Sequence, residues 1–504
     1  MAVFAAIDIG SNSVRMKIAR LVRHRLVLVQ EDREVTRLGK SVFKTGLLSP
    51  SSMAHTVEVL RRFHKAVQKH GAHSVRVVGT SALRDARNAQ SFLDWVYSVT
   101  GWKVETVSGL EEARLIHLGL LANSRFGNTP LLLADLGGGS CELTISVGGH
   151  IRYTASLPLG AVRLTEEFLK HDPPKRDELH RMTVYIDKEL ARARKRIIAF
   201  RPRKMIATSG TAAALAAVCT GKNSRVVAVP RSGAAKVTRK LSRMKISQRT
   251  SLDGVGPRRA EIIVAGAQVF VRVLEQCRLG SFRYSPLGLR DGLLAQMAAD
   301  YDRRTRSHRQ IESDRWDSLI HLGKSYHVDW KYSKQVRTLA VELFRQLRAV
   351  HQLPPAYEEW ISAAALLHEA GIYLNRYGWH RHTHYIIAHS EAFGYTQYER
   401  LLIAAIARYL GNSRPTPGDK PMKVLLSQDR AAVLKAVLLL RLARALNQGR
   451  SGAVKSFRTQ VKGATVRLLL RVPRRRADLE VWSLEKEASY FRELFGRELE
   501  AALS

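Results

Sequence analysis

Short apolar runs at residues 3–7, 75–79, 104–107, 131–134 and 205–207 have the length and composition of buried strands. Between them, residues 52–70, 82–99, 111–122, 177–198 and 260–277 place apolar side chains at helical spacing. That alternation predicts an α/β fold up to about residue 300. A stretch of Asn, Ser, Gly and Pro at 123–129 reads as a boundary between two lobes. Beyond residue 310 the pattern changes. Residues 332–350, 358–367, 398–409 and 431–446 read as amphipathic helices with few strands between them, a separate helical domain. Residues 414–421 read as an exposed loop. Near the end, 464–472 and 478–483 read as a strand pair and 485–503 as a closing helix. No low-complexity segment or short repeat is visible. A length of 504 residues suits several domains, and the pattern divides them at 1–126, 127–305, 306–452 and 453–504.

Charge changes this picture more than composition does. The apolar fraction is ordinary, but 82 Lys+Arg against 44 Asp+Glu gives a net charge of +38. A solvated basic surface and a polyanion partner both explain such an excess, and the second implies salt-dependent binding. The charge is concentrated: residues 191–260 hold 18 Lys+Arg and one acid, Asp253. Arg192, Arg194, Lys195, Arg196, Arg201, Arg203 and Lys204 lie there, and a second cluster occupies 471–476. Three cysteines (Cys141, Cys219, Cys277) form no CxxC pair and no even set, which points to a reducing compartment. The N-terminus has no basic leader, and residues 431–446 are interrupted by Lys435, Arg441 and Arg444. The expectation is a cytoplasmic protein with no membrane partner and no specific nucleic acid.

Two loops of one kind carry the candidate chemistry. Asp8-Ile9-Gly10-Ser11-Asn12-Ser13 and Asp135-Leu136-Gly137-Gly138-Gly139-Ser140-Cys141-Glu142 each follow a strand-like run. Each sets a carboxylate at a strand end, then small residues whose backbone N–H groups can converge on an anion. The carboxylates, Asp8 and Asp135, can hold a divalent cation against the oxygens of that anion. Two such loops on duplicated lobes would clamp a phosphate chain and its metal.

Three further turns join them. In Ser108-Gly109-Leu110-Glu111-Glu112, two acids open a helix. They either complement the helix dipole or, for one of them, orient water at a phosphate. Arg84 stands one turn into a helix after Gly79-Thr80-Ser81, a surface residue or a fork for phosphate oxygens. Thr208-Ser209-Gly210 repeats the strand-to-helix turn, as an N-cap or a phosphate site. There is no GxxxxGK[ST], no GxSxG, and the glycine triplet is not GxGxxG, which excludes Walker-type and serine-elbow chemistry and weakens a dinucleotide reading.

Together AIDIGSNSVRMKIA, VGTSALRDARN, SGLEEARLIHLG, LADLGGGSCELTI, SLPLGAVRLTE, IATSGTAAALA and SPLGLRDGLL resemble the exopolyphosphatase/pppGpp phosphohydrolase (Ppx/GppA) family of the actin–Hsp70–sugar kinase superfamily. They run in the family's order across residues 1–300, and 310–504 resemble the helical and small C-terminal domains of long members. The resemblance implies two ribonuclease-H-like lobes followed by an all-α degenerate HD-like domain and a small α+β domain. It gives Glu112 the water-activating role, and Asp135 and Glu142 the magnesium. Ser11, Asn12, Ser13, Arg84, Gly137, Gly138, Gly139 and Ser140 take the phosphate, joined by Ser209 and Gly210. Cys141 departs from the family's usual Thr.

In the helical region, Ala364-Ala365-Leu366-Leu367-His368-Glu369 resembles an HD motif in outline. Tyr332 stands where an early His is wanted, Glu369 replaces the Asp, and Arg444 lies near the late acidic position. His380, His382, His384 and His389, with Arg381 beside them, fall in an expected loop and read as structural or polyanion-contacting rather than as a metal site. The implied activity is release of orthophosphate from the end of inorganic polyphosphate, with a basic stretch and a helical domain carrying the remaining polymer. Guanosine pentaphosphate (pppGpp) is the alternative substrate, and a non-catalytic sensor the rival from another class. A homodimer is left open.

Overall fold

In a computed structural model, residues 2–124, 126–220, 228–390, 392, 394–411, 414–472 and 477–503 are described. The chain divides into two units, Met1–Glu312 and Ser313–Ser504.

The first unit holds two mixed sheets. In the first, β1 (Val3–Ile9), β2 (Val14–Val22), β3 (Arg25–Glu34), β4 (Ser74–Gly79) and β5 (Val104–Thr106) lie in the order β3-β2-β1-β4-β5. β1 and β4 are parallel, and β1, β2 and β3 form an antiparallel meander. The second has β6 (Leu131–Leu136), β7 (Cys141–Val147), β8 (His150–Leu157), β9 (Lys204–Thr208), β10 (Ala228–Pro230) and β11 (Ser281–Tyr284), ordered β10-β11-β9-β6-β7-β8. Both sheets therefore place a central buried strand between an antiparallel hairpin and a parallel neighbour. Even the register shifts correspond, at Ile18/Ala19 on β2 and Ile145/Ser146 on β7.

β1 and β6 are nearly continuous apolar runs because helices cover both faces of each sheet. Helices Pro50–Lys69 and Ala89–Thr100 pack on the first sheet, and Arg176–Ala199 and Ile263–Gln276 on the second. Helices Gly109–Asn123 and Leu289–Tyr301 fill the space between the sheets, with Phe4, Val78, Leu115, Ile116, Leu133, Leu293 and Leu294 in one core. They cross closely: a Cβ on Gly292 would fall 1.8 Å from the Leu115 carbonyl oxygen.

The run read as one helix over 82–99 is two, Ser81–Asp85 and Ala89–Thr100. The hairpin strands β2, β3, β7 and β8 were not among the sequence-predicted elements. β2 does alternate, with Val14, Met16 and Ile18 buried and Arg15 and Lys17 on the opposite face.

The second unit is largely helical, closed by β12 (Ser456–Lys462), β13 (Thr465–Arg471) and β14 (Glu498–Leu503). Three expectations fail here. Residues 478–483 are not a strand but the start of helix Asp478–Phe495, whose Leu484, Tyr490 and Phe491 are buried at helical spacing. Gly496, at φ 63°, ends that helix, and 498–503 are then drawn into parallel pairing with β13 despite helix-favouring composition. The histidine-rich segment is helix Trp379–His389, not a loop, entered through Gly378 at φ 67°. There Arg450 lies 4.0 Å over the Tyr332 ring and pairs with Glu369. His368 is buried, which pushes its ring down to about 3. Most of the 471–476 cluster lies outside the described residues, as do 221–227 within the long basic stretch. Among the described residues, no helix is long and apolar enough to cross a membrane.

Candidate active site

Two four-residue turns build the site. β1 turns into β2 through Gly10–Ser13, closed by Gly10 N–H on the Ser13 carbonyl at 3.2 Å. β6 turns into β7 through Gly137–Ser140, closed by Gly137 N–H on the Ser140 carbonyl at 3.0 Å. In each turn, carbonyls that would repel an anion are occupied. Gly39 and Arg37 N–H bond the Ser11 and Asn12 carbonyls at 2.7 and 3.0 Å. Ala161 and Val162 N–H, at the start of helix Ala161–Phe168, bond those of Gly137 and Gly138 at 3.0 and 2.8 Å. The second loop fits tightly, since a Cβ on Gly138 would fall 2.8 Å from Ser11 Cβ and one on Gly139 2.4 Å from Ser81 Oγ.

Register then separates the two loops chemically. Asp8 lies opposite Arg15 across the first hairpin. Asp135 lies opposite Glu142 across the second. Glu112 completes the acidic side, because Ser108 caps its helix and sets both acids in the first turn. Glu111 turns to Arg114 at 2.8 Å, and Glu112 faces the cavity. Carboxylate oxygens of Glu112, Asp135 and Glu142 lie within 4.8 Å of one another. Asp8 is outside that trio.

Glu112 and Glu142 are buried and Asp8 and Asp135 half-buried, and desolvation raises each above its ordinary range. Glu142 is pushed up to about 7 by burial and then by Asp135, with Ser156 Oγ, 2.8 Å from Oε1, acting against it. Glu112 is raised well above the usual range by burial and by Glu142, and Arg84 opposes this. Asp135 is raised by burial, opposed by the hydroxyl of Thr208, which donates to it. Asp8 is raised by burial and held down chiefly by Arg15. Glu142 Oε2 and Asp8 Oδ1 are buried without a hydrogen-bond partner. Three crowded carboxylates with an unsatisfied oxygen fit a hard divalent cation, which would supply the missing positive charge.

Arg84 is not an open fork. Its Nη1 donates to Glu112 Oε2 at 3.0 Å and to the Val107 carbonyl at 2.8 Å, and Nη2 reaches Ser140 Oγ at 3.4 Å. It ties the acid to the second loop.

A cavity of about 310 Å³ joins these parts. Asp8, Ser11, Asn12, Ser13, Glu112, Asp135, Gly137, Gly138, Ser140, Ser209 and Gly210 line it. Glu142 and Gly139 stand behind the wall. Ser209, at φ 90°, caps its helix through Ala212 N–H at 3.5 Å as well as lining the cavity. The sequence reading missed the cationic wall: Arg15, Lys17, Arg33, Arg259 and Arg290. Burial and mutual repulsion lower Arg33 to about 9 and Arg259 to about 10, Arg15 pressing on both. Arg15 and Lys17 were findable from the alternation of β2. Arg259 was not, since it arrives from a turn far along the chain and lies across Gly210, where a Cβ would fall 1.9 Å from its guanidinium.

Crowded acids on one wall and crowded guanidiniums on another have the chemistry to take a polyanion together with a divalent cation. Residues 17–300 match the Ppx/GppA phosphatase family and 315–488 match that family's domain III. The chain belongs to the Ppx/GppA phosphatase family. It is therefore a phosphatase-type hydrolase. Among its relatives, the guanosine-5'-triphosphate,3'-diphosphate pyrophosphatase of Aeromonas hydrophila is 28% identical over 465 residues, 90% of this chain and 89% of that one. The protein of the same name from Aliivibrio fischeri is 24% identical over 445 residues, 88% of each. Among solved structures, an exopolyphosphatase from Cytophaga hutchinsonii aligns with a TM-score of 0.56 and 25% identity, over 59% of this chain and 98% of its own. The Ppx/GppA family member of Aquifex aeolicus gives 0.51 and 29%, over 60% and 99%.

Proposed function

We propose that this chain hydrolyses the terminal phosphoanhydride bond of inorganic polyphosphate, releasing orthophosphate one residue at a time. The observation that carries this reading is the pairing, in one cavity, of Glu112 and Asp135, with Glu142 close behind them, and a wall of arginines. Backbone N–H groups of Ser11 to Ser13 and of Gly138 to Ser140, with Ser209 and Gly210, hold the terminal phosphates, and Gly137 closes the turn that aims them. Arg15, Arg33 and Arg259 oppose the charge behind them. Glu112 accepts a proton from a water aimed at the terminal phosphorus. The phosphorus–bridging-oxygen bond breaks, and the shortened chain leaves with that oxygen. A carboxylate raised above its ordinary range is a stronger base than an exposed one, and Arg84 keeps it oriented. Asp135 and Glu142, with Asp8 nearby, are the residues to hold Mg²⁺ or another divalent cation, which when bound neutralises phosphate oxygens.

The second reading is removal of the terminal phosphate of pppGpp at the same site, favoured by relatives of that name matching along nearly the whole chain. Both readings place the enzyme in the cytoplasm, with two ribonuclease-H-like lobes, 1–126 and 127–305, enclosing the site. Orthophosphate release from long-chain polyphosphate and from pppGpp, measured side by side with Mg²⁺, decides between them. The preferred reading expects the faster rate on polyphosphate. Release from pppGpp alone overturns it.

A further inference from the structure

The long basic stretch does not all serve the cavity. Arg259 lines the cavity, and Arg249 is buried against Asp172 at 2.6 Å. Apart from Arg249, residues 190–252 carry 15 Lys+Arg and no acid. Strand direction places part of it. β6, β9 and β11 are parallel, and their C-terminal ends carry Asp135, Thr208 and Tyr284 at or beside the cavity. Their N-terminal ends form the opposite pole. Arg201, Arg203 and Lys204 enter β9 there. Arg278 enters β11 there, and Arg231 follows β10 beside it, its N–H bonding the Gly280 carbonyl at 2.8 Å. Arg196 ends the helix Arg176–Ala199 that feeds the same edge. All six side chains are exposed. Two acids on the adjoining helices are already engaged, Glu189 by Arg192 and Glu275 by Arg272.

The six-residue length of β6 puts roughly 17–20 Å between this pole and the catalytic end. The cations come from three chain segments, 196–204, 231 and 278, at the adjoining ends of β9, β10 and β11 and a helix end, so they form a two-dimensional cluster rather than a single line. A single phosphate thread meets a line of charge. A double helix offers two rows of phosphates and about one charge per 1.7 Å of axis.

We propose that this pole binds the phosphate backbone of double-helical nucleic acid, without reading its sequence, at a surface separate from the hydrolytic cavity. Recognition is by point charges alone, so binding is strongly salt-dependent and indifferent to base sequence.

The test uses the full chain and labelled RNA and DNA duplexes of about 20 base pairs, titrated between about 50 and 200 mM salt. The comparison is the triple variant Arg203→Glu/Lys204→Glu/Arg231→Glu and its neutral counterpart with Gln at the three positions. Binding of either duplex is expected, and which one it is identifies the source. In the Glu variant, affinity at low salt should fall at least about 100-fold. In the Gln variant, the slope of log affinity against log salt should shrink by about 2 to 3. Orthophosphate release from a short phosphoanhydride should be unchanged in both, which also reports that they fold. Three outcomes overturn the proposal. They are no duplex binding by the wild type, equal binding by the variants, and loss of long-chain polyphosphate binding in the variants with duplex binding intact.

Discussion

Asp8 and Asp135 hold the same place in two equivalent hairpins, yet the residue across the ladder makes them different. Arg15 faces Asp8 and opposes the rise that burial gives that carboxyl. Glu142 faces Asp135, so the second pair stands in need of a cation. This has a consequence for stability without metal. Glu142 holds its proton to about pH 7 when folded, against 4.5 as its ordinary value. Below pH 4.5 both states are protonated and its contribution is fully present. As pH rises towards and through 7, the unfolded chain ionises first and that contribution is lost. Glu142→Gln in metal-free protein should therefore raise Tm at pH 8 by on the order of a few degrees, with little change at pH 4. Added Mg²⁺ should stabilise the wild type and leave the variant unmoved. Calorimetry at the two pH values checks this, and a variant less stable than wild type at pH 8 contradicts it.

Parallel strands β1, β4, β5, β6 and β9 and helices such as Pro50–Lys69 and Arg176–Ala199 were legible because each obeys one periodicity, whereas β11 and the helix Leu289–Tyr301 were not among the predicted elements. The antiparallel hairpins were harder to read. The β2–β3 turn uses Arg23 and His24 at φ 47° and 64°, positions where Gly or Asn would have signalled a tight turn. The β7–β8 turn does carry Gly148 and Gly149, and that signal was there to be used. Glu112, Asp135 and the loop glycines were visible because they are local motifs. The arginine wall was not, because β2, β3, the turn at 259 and the helix at 290 meet only after folding. The second loop depends on one contact that spacing could not show. A Cβ on Gly160 would fall 2.2 Å from the Gly139 carbonyl carbon and 2.3 Å from that of Gly138. Gly160→Ala should cost about 1–3 kcal/mol of stability by overpacking. Displacing the loop by about 1 Å should lower turnover roughly 100-fold. Thermal melts with steady-state kinetics read both effects, and unchanged turnover would show that the loop's position is not critical.

The whole molecule joins a duplicated α/β unit, which carries the site, to a largely helical second unit. The two solved relatives align over about 60% of this chain and nearly all of their own length, while the pyrophosphatase relatives match along both units. In the proposed function the hydrolytic chemistry lies within Met1–Glu312. The net charge of +38 exceeds what one cavity uses and is partly displayed at the far pole of the second sheet. At this scale the account rests on one acid. Orthophosphate release from polyphosphate, with Mg²⁺, by wild-type protein and by Glu112→Gln is its most direct test. Loss of the base should lower turnover by about 100- to 10,000-fold with polymer binding retained. A Glu112→Gln enzyme that turns over at the wild-type rate would contradict the assignment.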